Sequence, residues 1–186
     1  MGNMSAPEFF VRPLNGADDL QTGSGKSRLR RGLTVAGLIL ATGLFQGGWW
    51  VFPACWAAPW IGQALLIGIA FSYPPRQALL AGIAAGCLGN AWAYSWAPQS
   101  LAQCFDANWG LAHCIFAAII LWESVAFGLF CGVTAYVARQ RLAGCFLAPF
   151  VWVAVEHWWP RIFPWVLGYS QLEILTLIQI AELTGS

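Results

Sequence analysis

The chain has 186 residues and a net charge of +1, with 59% hydrophobic and only 9% charged residues. Soluble domains carry roughly 25% charged residues, so this composition excludes an ordinary soluble domain. The near-zero net charge gives no indication of a nucleic-acid partner. Together with a mean hydropathy of +0.62, these values predict an all-α fold, a polytopic bundle of transmembrane helices surrounded by membrane lipids.

The first 31 residues differ from the rest of the chain. They are polar, rich in Gly, Ser and Asp, and end in a basic cluster between Lys26 and Arg31. This pattern predicts a disordered N-terminal tail in the cytoplasm over 1–31. The following stretch, 32–75, contains no charged residue, and it is much longer than the ~20 residues that one span requires. We therefore expect two spans there, with a turn at Pro53 and Pro59.

Charge gaps define the remaining organisation. They predict about five complete spans within a transmembrane domain over 32–186, near 33–51, 57–73, 77–95, 110–137 and 142–159. An outer-face loop and a short helix should follow over 160–186. The loops assigned to the inside carry most of the arginines, which places the N-terminus in the cytoplasm. Small-xxx-small pairs indicate close packing between helices: Gly43/Gly47, Gly82/Gly86 and Gly128/Gly132.

Tryptophans mark the predicted outer ends of the spans, and only Trp122 and Trp152 fall within spans. Two interpretations remain open. The first is an aromatic belt that is sampled unevenly in a small protein. The second is a surface at headgroup level, where a lipid or a lipidated substrate docks from the outer side.

A few ionisable residues lie within or beside the spans. Glu123 is near the middle of the fourth span, where a charged acid costs roughly 2.5–3.5 kcal/mol, so it should face the bundle or be protonated. It is either a neutral Glu that is hydrogen-bonded to a neighbouring helix or an ion or proton site, as in a small transporter subunit. His113 is about 15 Å away along the helix and cannot be its direct partner. Glu156 and Arg161 share the outer end of the fifth span, as a solvated cluster or as a pair that fixes the next turn.

Recognisable catalytic motifs are missing from the sequence. It contains no G-x-S-x-G elbow, no H-E-x-x-H motif, no phosphate loop and no Gly-rich dinucleotide turn. The six cysteines form no C-x-x-C pair, so we predict no metal site and no cofactor. A Cys55–Cys104 disulfide between outer loops remains an alternative. The residues provide no catalytic set that could act on its own.

The end of the chain resembles a known family. The pattern is Trp152-x3-Glu156-x4-Arg161-x-Phe163-Pro164-Trp165-x2-Gly168-Tyr169-Ser170-Gln171, followed by Gln-Ile-Ala-Glu-Leu-Thr-Gly over 179–185. It resembles apolipoprotein N-acyltransferase, a bacterial inner-membrane enzyme of lipoprotein maturation. The Trp-Ala-Tyr-Ser-Trp segment over 92–96 is similar to the outer-facing aromatic segment of that family. The resemblance covers about 30–186, and its specific part is 150–186.

The resemblance implies an architecture and a reaction. The family has a bundle of eight spans that carries a nitrilase-like domain on the periplasmic side, with a Glu-Lys-Cys triad. The Cys thiolate takes an acyl chain from a phospholipid, and the resulting thioester passes it to the α-amine of the S-diacylglyceryl cysteine of an apolipoprotein. The only lysine of this chain, Lys26, lies in the predicted tail, and no cysteine matches the catalytic motif. We therefore assign no catalytic residue and expect this chain to be inactive alone.

The resemblance also implies supporting roles for six residues. Trp165, Tyr169 and Gln171 should line or brace the lipid entry, while Glu156 and Arg161 should hold the turn. Pro164 belongs to the same lipid-facing or supporting set. The catalytic domain would come from a longer protein or from a separate chain of a split enzyme. The Trp-rich face should point toward the periplasm. The alternatives are a non-catalytic module that binds lipid or lipoprotein, and a small transporter subunit that uses Glu123.

Overall fold

The computed structural model describes residues 25–52, 54–106, 108–140, 144–163, 167–172, 174 and 179. These residues form six α-helices and one 3₁₀ helix, and they contain no strand, which confirms the all-α class. The helices are α1 (Gly25–Val51), α2 (Ala58–Ser72), α3 (Pro75–Ala93), α4 (Ala97–Cys104), α5 (Trp109–Arg139) and α6 (Gly144–Trp158), and the 3₁₀ helix is Leu167–Gln171. The chain divides into a first unit, 1–35, and a second unit, 36–186.

Each of the five predicted spans overlaps one of these helices, although two features differ from the expectation. α1 begins at Gly25, within the segment predicted to be disordered. Its first turns contain Lys, Leu and Arg, which have high helix propensity. The short α4 was not predicted, and Pro98 stands in its first turn. Residues 1–24 of the predicted tail lie outside the described residues.

Among the described residues, two helices are long and apolar enough to cross a membrane by length and composition. They are the Gly32–Val51 part of α1, with a mean hydropathy of 1.2, and α5, with 2.1. α2 and α6 have 15 residues each, fewer than the ~20 that a perpendicular span needs. The structure thus provides two candidate spans, whereas five complete spans remain a proposal.

Local sequence explains where several helices begin. Proline occupies one of the first two helical positions of α2, α3 and α4, where its missing N–H would have no helical partner in any case. α5 begins after Asn108, whose side chain accepts a hydrogen bond of 2.8 Å from Leu111 N. This N-cap satisfies one free amide of the first turn.

The centre of the second unit is α5, which packs against α2, α3, α4 and α6. Its contact with α3 depends on glycine. A Cβ added at Gly82 would lie 2.6 Å from Phe127 O, and one added at Gly86 would lie 3.1 Å from Ser124 Cα. Gly47 of α1 meets α3 in the same way, since its added Cβ would lie 2.5 Å from Gly89 O. The predicted small-residue pairs therefore bring these helices together.

Candidate functional site

Glu123 lies in the middle of α5 and is only 1% exposed. Its Oε1 accepts hydrogen bonds from the backbone N–H groups of Ile162, at 2.6 Å, and Phe163, at 3.2 Å. The partner of Glu123 is therefore the irregular backbone after α6, residues 160–163, which we call the post-α6 segment. The expectation of a bond to a neighbouring helix is wrong, because an irregular segment has free amides whereas a helix interior does not.

The neighbouring residue on α5 holds the same segment. Trp122 Nε1 donates a hydrogen bond of 2.8 Å to Pro160 O, and the Trp122 ring lies 4.7 Å from the Trp159 ring, centroid to centroid. We call Trp122 and Glu123 the α5 clamp. Between them they bind a carbonyl and two amides of four consecutive residues, so the α5 clamp fixes the course of the chain as it leaves α6.

This course brings Phe163 against an aromatic pair that follows α3. Its ring stacks on Tyr94 with centroids 4.4 Å apart and meets Trp96 at 6.1 Å in an edge-on arrangement. Tyr94 is only 3% exposed. Such aromatic pairs stabilise a fold by more than the burial of their surface area alone. The post-α6 segment is therefore held by hydrogen bonds on its α5 side and by ring packing on its α3 side.

A second carboxylate positions the 3₁₀ helix. Glu156 Oε1 accepts a hydrogen bond of 2.8 Å from Leu167 N, the first residue of that helix. At the other end, Gln171 Nε2 donates to Trp56 O at 3.3 Å and to Ser170 Oγ at 2.9 Å. The 3₁₀ helix is thereby connected to α6 at one end and to the turn before α2 at the other.

Arg161 lies between these two groups of contacts. Its guanidinium carbon is 5.9 Å from the centroid of the Trp152 ring, within the range of a cation–π interaction. Arg161 also interacts electrostatically with the Glu156 carboxyl group. The hydrogen bond of Glu156 Oε1, however, goes to Leu167 N, so the following turn is fixed by a carboxylate–amide contact.

Of the other residues expected at the site, Gln171 is buried and Tyr169 is 43% exposed. The segment from Gly168 to Gln171 thus presents Tyr169 outward and Gln171 inward. Pro164 and Trp165 lie outside the described residues, as do 180–186. Their expected roles remain predictions.

The contacts described above are structural bonds, although several buried polar atoms, such as Glu123 Oε2 and the Tyr94 hydroxyl, have no hydrogen-bond partner among the described residues. No group of three or more His, Cys, Asp or Glu side chains among them could bind a metal ion. His113 is exposed and its Nδ1 bonds to Trp109 O at 2.8 Å. Cys55 and Cys104 are free thiols, so the alternative disulfide is not formed. Buried carboxylates that bind backbone amides can position a segment, but they do not constitute a nucleophile and a base.

Sequence reasoning missed the role of Trp122 and the stacking of Tyr94 on Phe163. One signal was available for the first, because a Trp-Glu pair in the middle of an apolar helix needs polar partners within the bundle. No sequence pattern indicated which segment would supply them.

Comparisons with known proteins identify the family of this chain. The model of the apolipoprotein N-acyltransferase N-terminal domain matches residues 36–186. A curated relative from Geobacter metallireducens, named apolipoprotein N-acyltransferase, is 28% identical over 144 residues, which is 72% of this chain and 27% of the relative. The chain thus spans about a quarter of the length of that relative. No solved structure matches significantly. Because the family model covers most of the sequence, including the post-α6 segment and the 3₁₀ helix, the chain belongs to the apolipoprotein N-acyltransferase family, in its N-terminal domain.

Proposed function

We propose that this chain is the membrane part of a lipoprotein N-acyltransferase and that it supports the outer segment on which the catalytic domain rests. The enzyme would transfer an acyl chain from a phospholipid to the N-terminal S-diacylglyceryl cysteine of an apolipoprotein through a thioacyl-enzyme. The nucleophilic Cys, with its Glu and Lys, would belong to a nitrilase-like domain in the same protein or in a partner chain. This chain alone should be inactive.

One observation carries the proposal, namely the α5 clamp. Hydrogen bonds from the middle of α5 reach Pro160, Ile162 and Phe163. Glu156 fixes the 3₁₀ helix that follows. A buried carboxylate is costly to maintain in a membrane protein unless it is used. Here the buried Glu123 and the half-buried Glu156 hold neighbouring parts of one segment, which supports a positioning role for the bundle.

The orientation belongs to the same proposal. We place the N-terminus in the cytoplasm, count five spans, and direct the Trp-rich end toward the periplasm of a bacterial inner membrane. Exposed tryptophans occur in or beside the ends of α2, α3, α5 and α6 that we assign to this side: Trp56, Trp60, Trp96, Trp109 and Trp158. Exposed Trp at helix ends suits the headgroup level of a bilayer.

The contacts of Glu123 favour this function over the transporter alternative. A metal cation is held by several oxygens, whereas Glu123 Oε1 accepts from two backbone amides and only its Oε2 is without a partner among the described residues. A carboxylate in this position stabilises a segment. Glu123→Gln should consequently leave ion flux across reconstituted vesicles unchanged.

A chimera tests the proposal. The chain would be joined to the part of the Geobacter metallireducens relative that follows its matched region, and acylation of a diacylglyceryl apolipoprotein would be followed by mass spectrometry. We expect acylated product from the chimera and none from the chain alone. The relative's own full-length protein is the positive control. A chimera that reaches the membrane folded but forms no product would contradict the proposal, and so would activity of the isolated chain.

The intact mass of the protein extracted from its own membranes tests how the catalytic domain is supplied. A mass well above 20.2 kDa would place that domain in the same polypeptide. A mass close to that value would favour a partner chain.

A further inference from the structure

The 3₁₀ helix closes one end of a cavity inside the bundle. The cavity has a volume of about 390 Å³ and lies between α2 and α6, with α5 completing its wall. Leu167 and Gly168 of the 3₁₀ helix line the cavity beside Glu156. Among the described residues, α2 and α6 each pack against α5 but make few contacts with each other. The 3₁₀ helix therefore spans a gap between two helices that do not hold each other directly.

The two ends of the 3₁₀ helix are attached by hydrogen bonds of different strength. At the α6 end, Leu167 N donates to Glu156 Oε1 at 2.8 Å. At the α2 end, Gln171 Nε2 donates to Trp56 O at 3.3 Å. A short bond to a carboxylate is stronger than a long bond between neutral groups. The attachment to α6 is therefore the firmer of the two.

The buried side chains of the 3₁₀ helix show the same asymmetry. Leu167 belongs to the apolar core of the bundle, so moving it into water would expose apolar surface. Ser170 and Gln171 are also buried, but they are polar, and water can replace the bond that Gln171 makes to the turn before α2. Gln171 Nε2 also donates to Ser170 Oγ, and Ser170 Oγ donates to Leu167 O. These two bonds lie within the 3₁₀ helix, so the helix can move without losing them.

The cavity contains a buried polar group that water would reach if the 3₁₀ helix moved. Gln63 lines the cavity and is only 7% exposed. Both its amide nitrogen and its amide oxygen have no hydrogen-bond partner among the described residues, which is unfavourable for a buried amide. Gln63 follows Ala58, the first residue of α2, by about 8 Å along the helix axis. Its hydration would therefore favour opening of the cavity at this end.

We propose that the 3₁₀ helix is a gate at this end of the cavity. It pivots at Leu167, where Glu156 holds it, and it opens where Gln171 leaves Trp56 O. The open state connects the cavity with the water at this end of the bundle. This inference concerns a movement of the chain itself, so it depends neither on acyl transfer nor on what enters the cavity.

Thiol labelling of the chain in lipid nanodiscs tests the gate. Gln63→Cys places a thiol in the cavity, and a positively charged methanethiosulfonate, which stays in water, modifies it; mass spectrometry then identifies each labelled thiol. Only lipid surrounds the sides of the chain in a nanodisc, so this reagent reaches the cavity from an end. Adding Gln171→Leu, which removes the bond to Trp56 O, should speed labelling at position 63 by about tenfold or more. Gln77→Leu is the matched control, because it makes the same substitution at an exposed position of α3 outside the cavity lining, and it should change the rate less than about twofold.

Hydrogen exchange of the chain without the introduced thiol tests where the gate pivots. Gln171→Leu should speed exchange at the amides of 170–172 by about fivefold or more, because the released end becomes hydrated. The amide of Leu167 should change less than about twofold, because Glu156 still accepts its hydrogen bond.

Two results would overturn the inference. Labelling at position 63 that is the same with and without Gln171→Leu would show that the 3₁₀ helix does not gate the cavity. Equal acceleration of exchange at Leu167 and at 170–172 would show that the whole 3₁₀ helix detaches and that Leu167 is not a pivot. If circular dichroism shows that Gln171→Leu does not fold, Gln171→Met removes the same donor with a side chain of similar length.

Discussion

Replacement of Glu123 provides the sharpest test of the α5 clamp. Glu123→Leu introduces an apolar side chain of similar length and removes the oxygen that accepts hydrogen bonds from two backbone amides. Hydrogen bonds to charged groups contribute about 1.5–3 kcal/mol each. The two bonds share one oxygen, and Ile162 is 51% exposed, so water can replace part of the loss. We therefore expect the post-α6 segment to lose about 2 kcal/mol of local stability, which is in the lower part of the range for a single bond of this kind.

Hydrogen exchange measures this loss directly. A change of about 2 kcal/mol corresponds to roughly 30-fold faster exchange at the amides of Ile162 and Phe163, if they exchange through local opening. Glu123→Gln is the matched control, because its amide oxygen still accepts and only the charge is removed. We expect that variant to lose less than about 1 kcal/mol, since neutral hydrogen bonds contribute about 0.5–1.5 kcal/mol.

Two results would refute this reasoning. Unchanged exchange at Ile162 and Phe163 in Glu123→Leu would mean that the carboxylate does not hold the segment. Equal increases of hydrogen exchange in Glu123→Leu and Glu123→Gln would mean that the charge of the side chain, and not its acceptor oxygen, holds the segment. The helices of the second unit should keep their protection in both variants, which separates local release of the segment from general unfolding.

Further predictions concern the packing and the remaining contacts. Gly47→Ala should destabilise the protein by about 1–3 kcal/mol in denaturant unfolding, because its Cβ would lie 2.5 Å from a backbone oxygen. Gly68→Ala is the matched control, because nothing lies within 4 Å of its added Cβ, and it should be neutral or slightly stabilising. Tyr94→Ala should lower the free energy of unfolding by about 3–5 kcal/mol. Tyr94→Phe should lower it by less than about 0.5 kcal/mol, because the buried hydroxyl has no partner among the described residues. Equal losses in the two variants would contradict the stacking argument. Trp122→Phe should remove the hydrogen bond to Pro160 O and lower the stability of the post-α6 segment by about 1 kcal/mol. Hydrogen exchange across 160–163 should show a greater loss of stability in Glu123→Leu than in Trp122→Phe. Glu156→Leu should speed hydrogen exchange at the start of the 3₁₀ helix. Unchanged hydrogen exchange there would contradict the hydrogen bond between Leu167 N and Glu156.

Part of the candidate site was predictable from residue type and position. A carboxyl group in the middle of an apolar span is costly alone, so Glu123 had to face the bundle, and it does. The proposed role of Glu156 in holding the next turn rested on its place beside Pro160 and Arg161. Its observed acceptor contact with Leu167 lies eleven residues further along the chain. Spacing alone does not reveal such a contact, because the direction of an irregular segment depends on what packs against it.

The sequence by itself determined the all-α class, the approximate positions of five of the six α-helices in the described residues and the glycine pairs that allow close packing. Each of these follows from local composition, since long apolar runs favour helices in a membrane and small residues leave room for a neighbour. Only the tertiary structure decided which helix meets which residue. α5 lies at the centre, and it thereby brings Trp122 and Glu123 to a segment some forty residues away. The same arrangement leaves a cavity between α2 and α6. Partners so distant in sequence are selected by the packing of the whole bundle, and no local pattern records that choice.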